Sequence, residues 1–232
     1  DLIRKSSGER MEKSKQMIEA VKSGNLAAIR KLLKEDPQLI HACTDRGESV
    51  MMLAVYYGQK EVAQLLLSKA TALTIFEATA LGQKQRVIDL LRSNAELLHT
   101  FSDDGWTAVH LAAFFGHTEI LRYLLDAGGK IDVAAKNEMA VLPLHSAIAN
   151  RRFDTAELLI ASGADVNAVQ SADWTPLHYA AAVGNAQLVE RLLQTGADRA
   201  AKNNSGQTAL DVADEKGHTI VAELLKNKGD FR

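Results

Sequence analysis

Residues 105–128 read GWTAVHLAAFFGHTEILRYLLDAG, two helical patterns on either side of a glycine. Trp106 to Phe115 carries apolar residues at helical spacing, Gly116 breaks the run, and Glu119 to Leu125 begins a second that closes on Gly128 and Gly129. This predicts two short antiparallel helices joined by a tight glycine turn. Neither helix buries its apolar face alone, so the unit requires copies of itself on both sides.

Those copies are present and in phase. One leucine marks the same point of each second helix: Leu32, Leu66, Leu90, Leu124, Leu159, Leu192 and Leu225, in steps of 34, 24, 34, 35, 33 and 33 residues. Eight residues earlier stands each inter-helix turn, at Gly24, Gly58, Gly82, Gly116, Arg151, Gly184 and Gly217. Six of these seven are glycine, which takes positive φ or a close approach without strain. Two helices and a turn at a period near 33 predict an all-α solenoid rather than one or two globules.

The motifs within the copies point further. TPLHYAAAVG (175–184) recurs as TAVHLAAFFG (107–116), LPLHSAIANR (142–151) and TALDVADEKG (208–217), and GADVNA and GADRAA follow second helices. Together these resemble the ankyrin repeat. More narrowly, TIFEATALG, SDDGWTAVHLAAFFGH and AAKNEMAVLPLHSA resemble a group of bacterial ankyrin proteins mostly without assigned activity. The resemblance implies hairpin fingers between helix pairs and a single domain over residues 11–230, preceded by a tail or linker at 1–10. Its repeats fall at about 11–43, 44–70, 71–101, 102–135, 136–168, 169–201 and 202–230.

The 24-residue step removes about the length of one finger before the third repeat, predicting a direct helix-to-helix link through Ser68–Ala72. The connection into the fifth repeat is longer, predicting an extended finger near Lys136–Ala140. The first copy has no TPLH signature and a charged outer face, and the last ends in Lys226, Asn227 and Lys228, so both read as caps.

Composition narrows the function classes. Hydrophobic residues make up 47 %, ample for a core, and a net charge of −2 argues against a general nucleic-acid binder. Residues 1–35 hold nine Lys/Arg against five Asp/Glu, which reads as a solvated cap rather than a binding patch. The single Cys43 permits no internal disulfide and fits a reducing compartment. No apolar run approaches a membrane span, and no signal-peptide core stands at the N-terminus. The expectation is a cytoplasmic monomer; a removed signal peptide or effector secretion stays compatible with a chain starting at Asp1.

Candidate chemistry is sparse. By the resemblance, His110, His145 and His178 occupy the TPLH position, where the imidazole bonds neighbouring backbone between repeats. Stacked at roughly 10 Å, they stand too far apart to share a zinc ion near 2 Å from each ligand. His117 and His218 follow turn glycines, and His41 and His99 share places in two similar linkers. Cys43 reads as a small buried thiol. Asp103 and Asp104 are adjacent turn residues, not carboxylates facing across a cleft. Asn167, eight residues after Leu159, resembles the segment accepted by asparaginyl hydroxylases, but reads as a structural residue at a finger base. No GxGxxG, Walker, GxSxG or HExxH motif is present. No metal, cofactor or catalytic residue is expected.

Ankyrin proteins bind partners through finger tips and the exposed side of the first helices. The matching positions are Arg46, Glu48, Tyr56, Tyr57, Leu81, Asp103, Asp104, Trp106, Phe114, Phe115 and Trp174. Six of the chain's aromatics fall among them, and aromatics are favoured interface anchors. Trp106 and Trp174, beside helix starts, are expected to be partly packed. The reading is a non-catalytic module that binds another protein, without nucleic acid or a membrane span. Two rivals remain: a regulatory fragment of a larger protein or secreted effector, and a small-ligand protein or enzyme using a pocket at the fingerless third repeat.

Overall fold

The structure, a computed structural model, describes the backbone of residues 2–227 and the side chains of residues 9–227. Lys228, assigned to the C-terminal cap, lies outside the described residues, as does the end of the domain at residue 230. The described chain is all-helical, with fourteen α-helices, three short 3-10 helices and no strand. Two isolated antiparallel bridges, Cys43 with Ser49 and Gln170 with Trp174, close fingers. Contacts divide the chain into two compact units, Asp1–Gln83 with Ser102–Asp104, and Lys84–Phe101 with Gly105–Arg232.

Unit one contains α1 (Leu2–Lys22), α2 (Leu26–Glu35), α3 (Val50–Tyr56), α4 (Lys60–Leu67) and α5 (Ile75–Ala80). Helix α1 starts at Leu2, so residues 2–10 of the stretch expected as tail or linker are helical. That stretch has no proline, and apolar periodicity reports burial rather than helix formation itself. α1 packs on α2 and α3, and α3 on α4 and α5. The core between them is aliphatic, with Met17, Val21, Ile29, Leu53 and Leu66 all at most 2 % exposed. α4 passes to α5 through residues 68–74, with no bridge or helix between and no finger.

Unit two contains α6 (Lys84–Ser93), α7 (Ala108–Phe115), α8 (Thr118–Asp126), α9 (Pro143–Ala149), α10 (Phe153–Ala161), α11 (Pro176–Val183), α12 (Ala186–Gln194), α13 (Ala209–Lys216) and α14 (Thr219–Lys226). First helices stack as α7, α9, α11, α13, and second helices as α6, α8, α10, α12, α14. Leu124, Leu159 and Leu192 are fully buried between them. Leu90 departs from this series: it is half-buried, and Val87 and Leu91 fill the core of α6 instead.

The turn geometry explains the sequence phase. All seven turn positions have positive φ, including Arg151 at 56°. The residue after each turn donates its N–H five residues back, to the carbonyls of Ala20, Ala54, Ala78, Ala112, Ala147, Ala180 and Ala213. This bond closes a Schellman-type end on each first helix. All seven acceptors are alanines, each at most 7 % exposed.

Glycine at the turns also serves packing. Gln59 Nε2 donates to the Lys22 carbonyl at 2.8 Å in unit one, and its side chain occupies the space a Cβ on Gly24 would need. In unit two, Arg152 Nε does the same to Phe114 O at 3.3 Å, lying over Gly116, and His218 Nε2 to Ala182 O at 3.1 Å, lying over Gly184. Beside the Arg151 turn, Asn185 instead caps its own helix through Leu188 N–H at 2.9 Å.

Candidate functional site

The TPLH histidines act as repeat-to-repeat clamps. Thr107 and Thr175 cap α7 and α11, and each cap residue's backbone N–H donates to the following imidazole's Nδ1, at 3.3 Å for His110 and 3.2 Å for His178. An accepting Nδ1 places the proton on Nε2. There it donates to the next repeat's backbone, at Val141 O and Gln207 O, both at 2.9 Å. His145 likewise reaches Trp174 O at 3.1 Å. Its cap residue is Leu142, with no hydroxyl, and its buried Nδ1 has no hydrogen-bond partner among the described residues. Burial pushes the His110 and His145 imidazoles down to about 4, so both are neutral at pH 7. Among the described residues no group of His, Cys, Asp and Glu is arranged to hold a metal ion.

Other polar residues are similarly engaged. Asn167 donates Nδ2 to Gly196 O at 3.0 Å and accepts Asp198 N–H at 2.8 Å, tying one finger base to the next. Glu77, the ionisable group of the pocket reading, caps α5: it accepts Thr74 N–H at 2.9 Å and Ser49 Oγ at 2.7 Å. Ala80 is buried and Leu81 packs against the core. Cys43 corrects an expectation: it is exposed rather than buried, because it stands in the finger closed by its bridge to Ser49 and not on a packed helix.

Of the eleven expected contact residues, Arg46, Tyr57 and Asp103 are exposed and the other eight half-buried. In unit one, Tyr57 is 54 % exposed at the end of α3. Tyr56 instead donates its hydroxyl to Asp104 Oδ2 at 2.8 Å. Burial, then the Asp104 carboxylate, pushes that phenol far above its ordinary range, so it stays a neutral donor. Glu48 accepts Thr44 Oγ1 at 2.8 Å within its finger, and Asp103 packs directly on Gly47 beside Arg46.

In unit two, Trp106, Phe114 and Phe115 form one ring group, edge to face, with centroids 6.0 Å and 4.8 Å apart. His117 stacks on Phe115 at 6.2 Å. Trp174 belongs to a second group, 5.0 Å from Tyr179 and 5.8 Å from His178. Rings fixed by one another in this way lose little freedom when a partner covers them.

Some surface features escaped the sequence reading. Met139 and Val169, on adjacent fingers joined by Ser171 Oγ to Met139 O at 2.9 Å, are 57 % and 55 % exposed. Ala140, Ala172 and Asp173 on these fingers hold positive φ, which alanine does not announce in sequence. A cleft of about 290 Å³ between the α7–α8 and α9–α10 turns is lined by Phe115, Gly116, Thr118, Arg151, Arg152 and Asp154, among others. Only its turn spacing was legible.

Comparison with known proteins agrees with this architecture. The chain is 26 % identical over 64 % of its length to Ankyrin repeat and SAM domain-containing protein 6 of Rattus norvegicus, covering 14 % of that protein. It is 32 % identical over 64 % of its length to a Transient receptor potential cation channel subfamily A member 1 homolog of Caenorhabditis elegans, covering 13 % of it. It is 29 % identical over 67 % of its length to Target of rapamycin complex 2 subunit AVO2 of Saccharomyces cerevisiae, covering 31 % of it. The chain thus spans well under two thirds of each of these relatives. The family model for ankyrin repeats in three copies matches residues 75–170 and 163–232. With more than half its length matched and its histidines clamping one helical hairpin to the next, this chain belongs to the ankyrin-repeat family.

Proposed function

We propose that this chain is a non-catalytic module that binds another protein through its first-helix faces and finger tips. Ankyrin repeats generally mediate protein–protein interaction, and the buried histidines His110, His145 and His178 here bond one repeat to the next. The observation that carries the reading is the ring group of Trp106, Phe114 and Phe115, half-exposed and held by mutual contact. A folded repeat gains little from leaving such rings partly in water, whereas an interface gains anchors. In unit one, Tyr57 is the corresponding anchor, with Arg46 and Asp103 as a charged rim that steers association more than it holds it. Trp174, Glu48, Tyr56, Leu81 and Asp104 complete the surfaces from half-buried positions.

The module is read as a cytoplasmic monomer without nucleic-acid ligand. Among the described residues no helix is long and apolar enough to cross a membrane. A second reading, the ankyrin part of a larger regulatory protein or effector, is favoured by one observation: the chain covers only 13 % to 31 % of the three relatives named above. Those relatives are eukaryotic, so the narrower resemblance to bacterial ankyrin proteins rests on its motifs alone.

The test is affinity capture by the intact chain and by a Tyr57→Ala, Phe114→Ala, Phe115→Ala variant shown to fold. Selective loss of a specific partner by the variant is expected. Equal recovery of every partner rejects the surface.

A further inference from the structure

We infer that the partner docking on the ring face of the fourth repeat is an acidic peptide segment, whose carboxylates are received by Arg151 and Arg152. The inference rests on the proposed binding function and specifies the chemistry of its partner. The cleft of about 290 Å³ beside Phe115 has an apolar wall and a cationic one. Arg151 is exposed, and its guanidinium has no hydrogen bond or ion pair among the described residues. Arg152 uses Nε on Phe114 O, while its terminal NH₂ groups engage no described residue.

The surrounding carboxylates do not cancel these charges. Glu119, in the first turn of α8, is paired with Lys84 Nζ at 3.1 Å, leaving Asp154 as the lining carboxylate against two guanidinium groups. Two planar forks beside an aromatic edge match a carboxylate adjoining an apolar side chain. The position of Arg151 adds weight. Its φ is 56°, in the left-handed region that glycine occupies at the other six turns, so the fold alone has no use for arginine there. The uncapped starts of α8 and α10 contribute positive potential to the cleft but do not carry the inference.

The experiment titrates the full chain into a fluorescein-labelled hexapeptide of two leucines flanked by glutamates, read by anisotropy, and into the same peptide with lysine for glutamate. Arg151→Gly is the decisive variant, because glycine keeps the left-handed turn while removing the cation. The acidic peptide is expected to bind about tenfold or more tightly than the basic one, with affinity falling as salt rises. Arg151→Gly should weaken it about fivefold with the melting temperature unchanged or raised. The inference is overturned by equal binding of the two peptides, by no measurable binding of the acidic one, or by an unaltered affinity in Arg151→Gly. Complete competition by inorganic pyrophosphate together with indifference to Phe115→Ala also overturns it, in favour of a free-anion site. If ring substitutions abolish partner capture while Arg151→Gly does not alter it, the binding function stands and this inference alone fails.

Discussion

At the scale of single residues, the turn positions separate two roles of glycine. Gly184 and Gly217 share a φ of 73°, but a Cβ on Gly184 would lie 2.7 Å from the His218 ring, whereas one on Gly217 meets nothing within 4 Å. Gly217→Ala should therefore cost about 1 kcal/mol, and Gly184→Ala about 1 kcal/mol more, as shifts in urea midpoint. Conversely, Arg151→Gly should stabilise the chain by roughly 1 kcal/mol, since it relieves a left-handed arginine. The neutral imidazoles predict a pH dependence. His110 and His145 sit at about 4 in the fold against 6.5 for a free imidazole, so the unfolded chain binds their protons first as pH falls. Their contribution is complete above about pH 6.5 and declines toward pH 4, by up to about 1.4 kcal/mol per pH unit for each ring. Urea midpoints across that range should fall, and fall less steeply in His145→Gln.

At the scale of helices, hydroxyl caps do what length cannot. Most of these helices span fewer than eleven residues, too short to persist alone. Thr175 both caps α11 and orients His178, so Thr175→Val should cost about 1–2 kcal/mol by denaturation while leaving helix content intact. The fifth repeat shows that state naturally: Leu142 caps nothing, and His145 Nδ1 has no hydrogen-bond partner among the described residues. Helix pairs, turns and the absent third finger were legible because they alter period or composition. The 3-10 turns at Pro37–His41 and Ala95–His99 were not, since five residues carry no periodicity. The box of Thr74 and Glu77 was readable as T-x-x-E, and the series of seven turn alanines as a fixed offset from glycine. Cys43 was misjudged because it stands in a finger and not on a packed helix.

At the scale of the whole molecule, repetition makes most polar side chains structural. Histidines join repeats and Asn167 joins fingers, whereas the rings lie at points where the repeat pattern leaves its residues unspecified and Arg151 at a turn that the other six copies fill with glycine. Candidate anchors were legible as bulky residues at variable positions. Their grouping was not, because Trp106 joins Phe114 while Trp174 joins Tyr179 through packing that spacing does not encode. The most direct test of this division is the affinity of the captured partner for Phe115→Ala and for His178→Gln, both measured where each variant is folded. Loss of about tenfold or more in Phe115→Ala, with His178→Gln within about twofold of the parent, is the predicted result. The reverse, an intact affinity in Phe115→Ala and a lost one in His178→Gln, would contradict it.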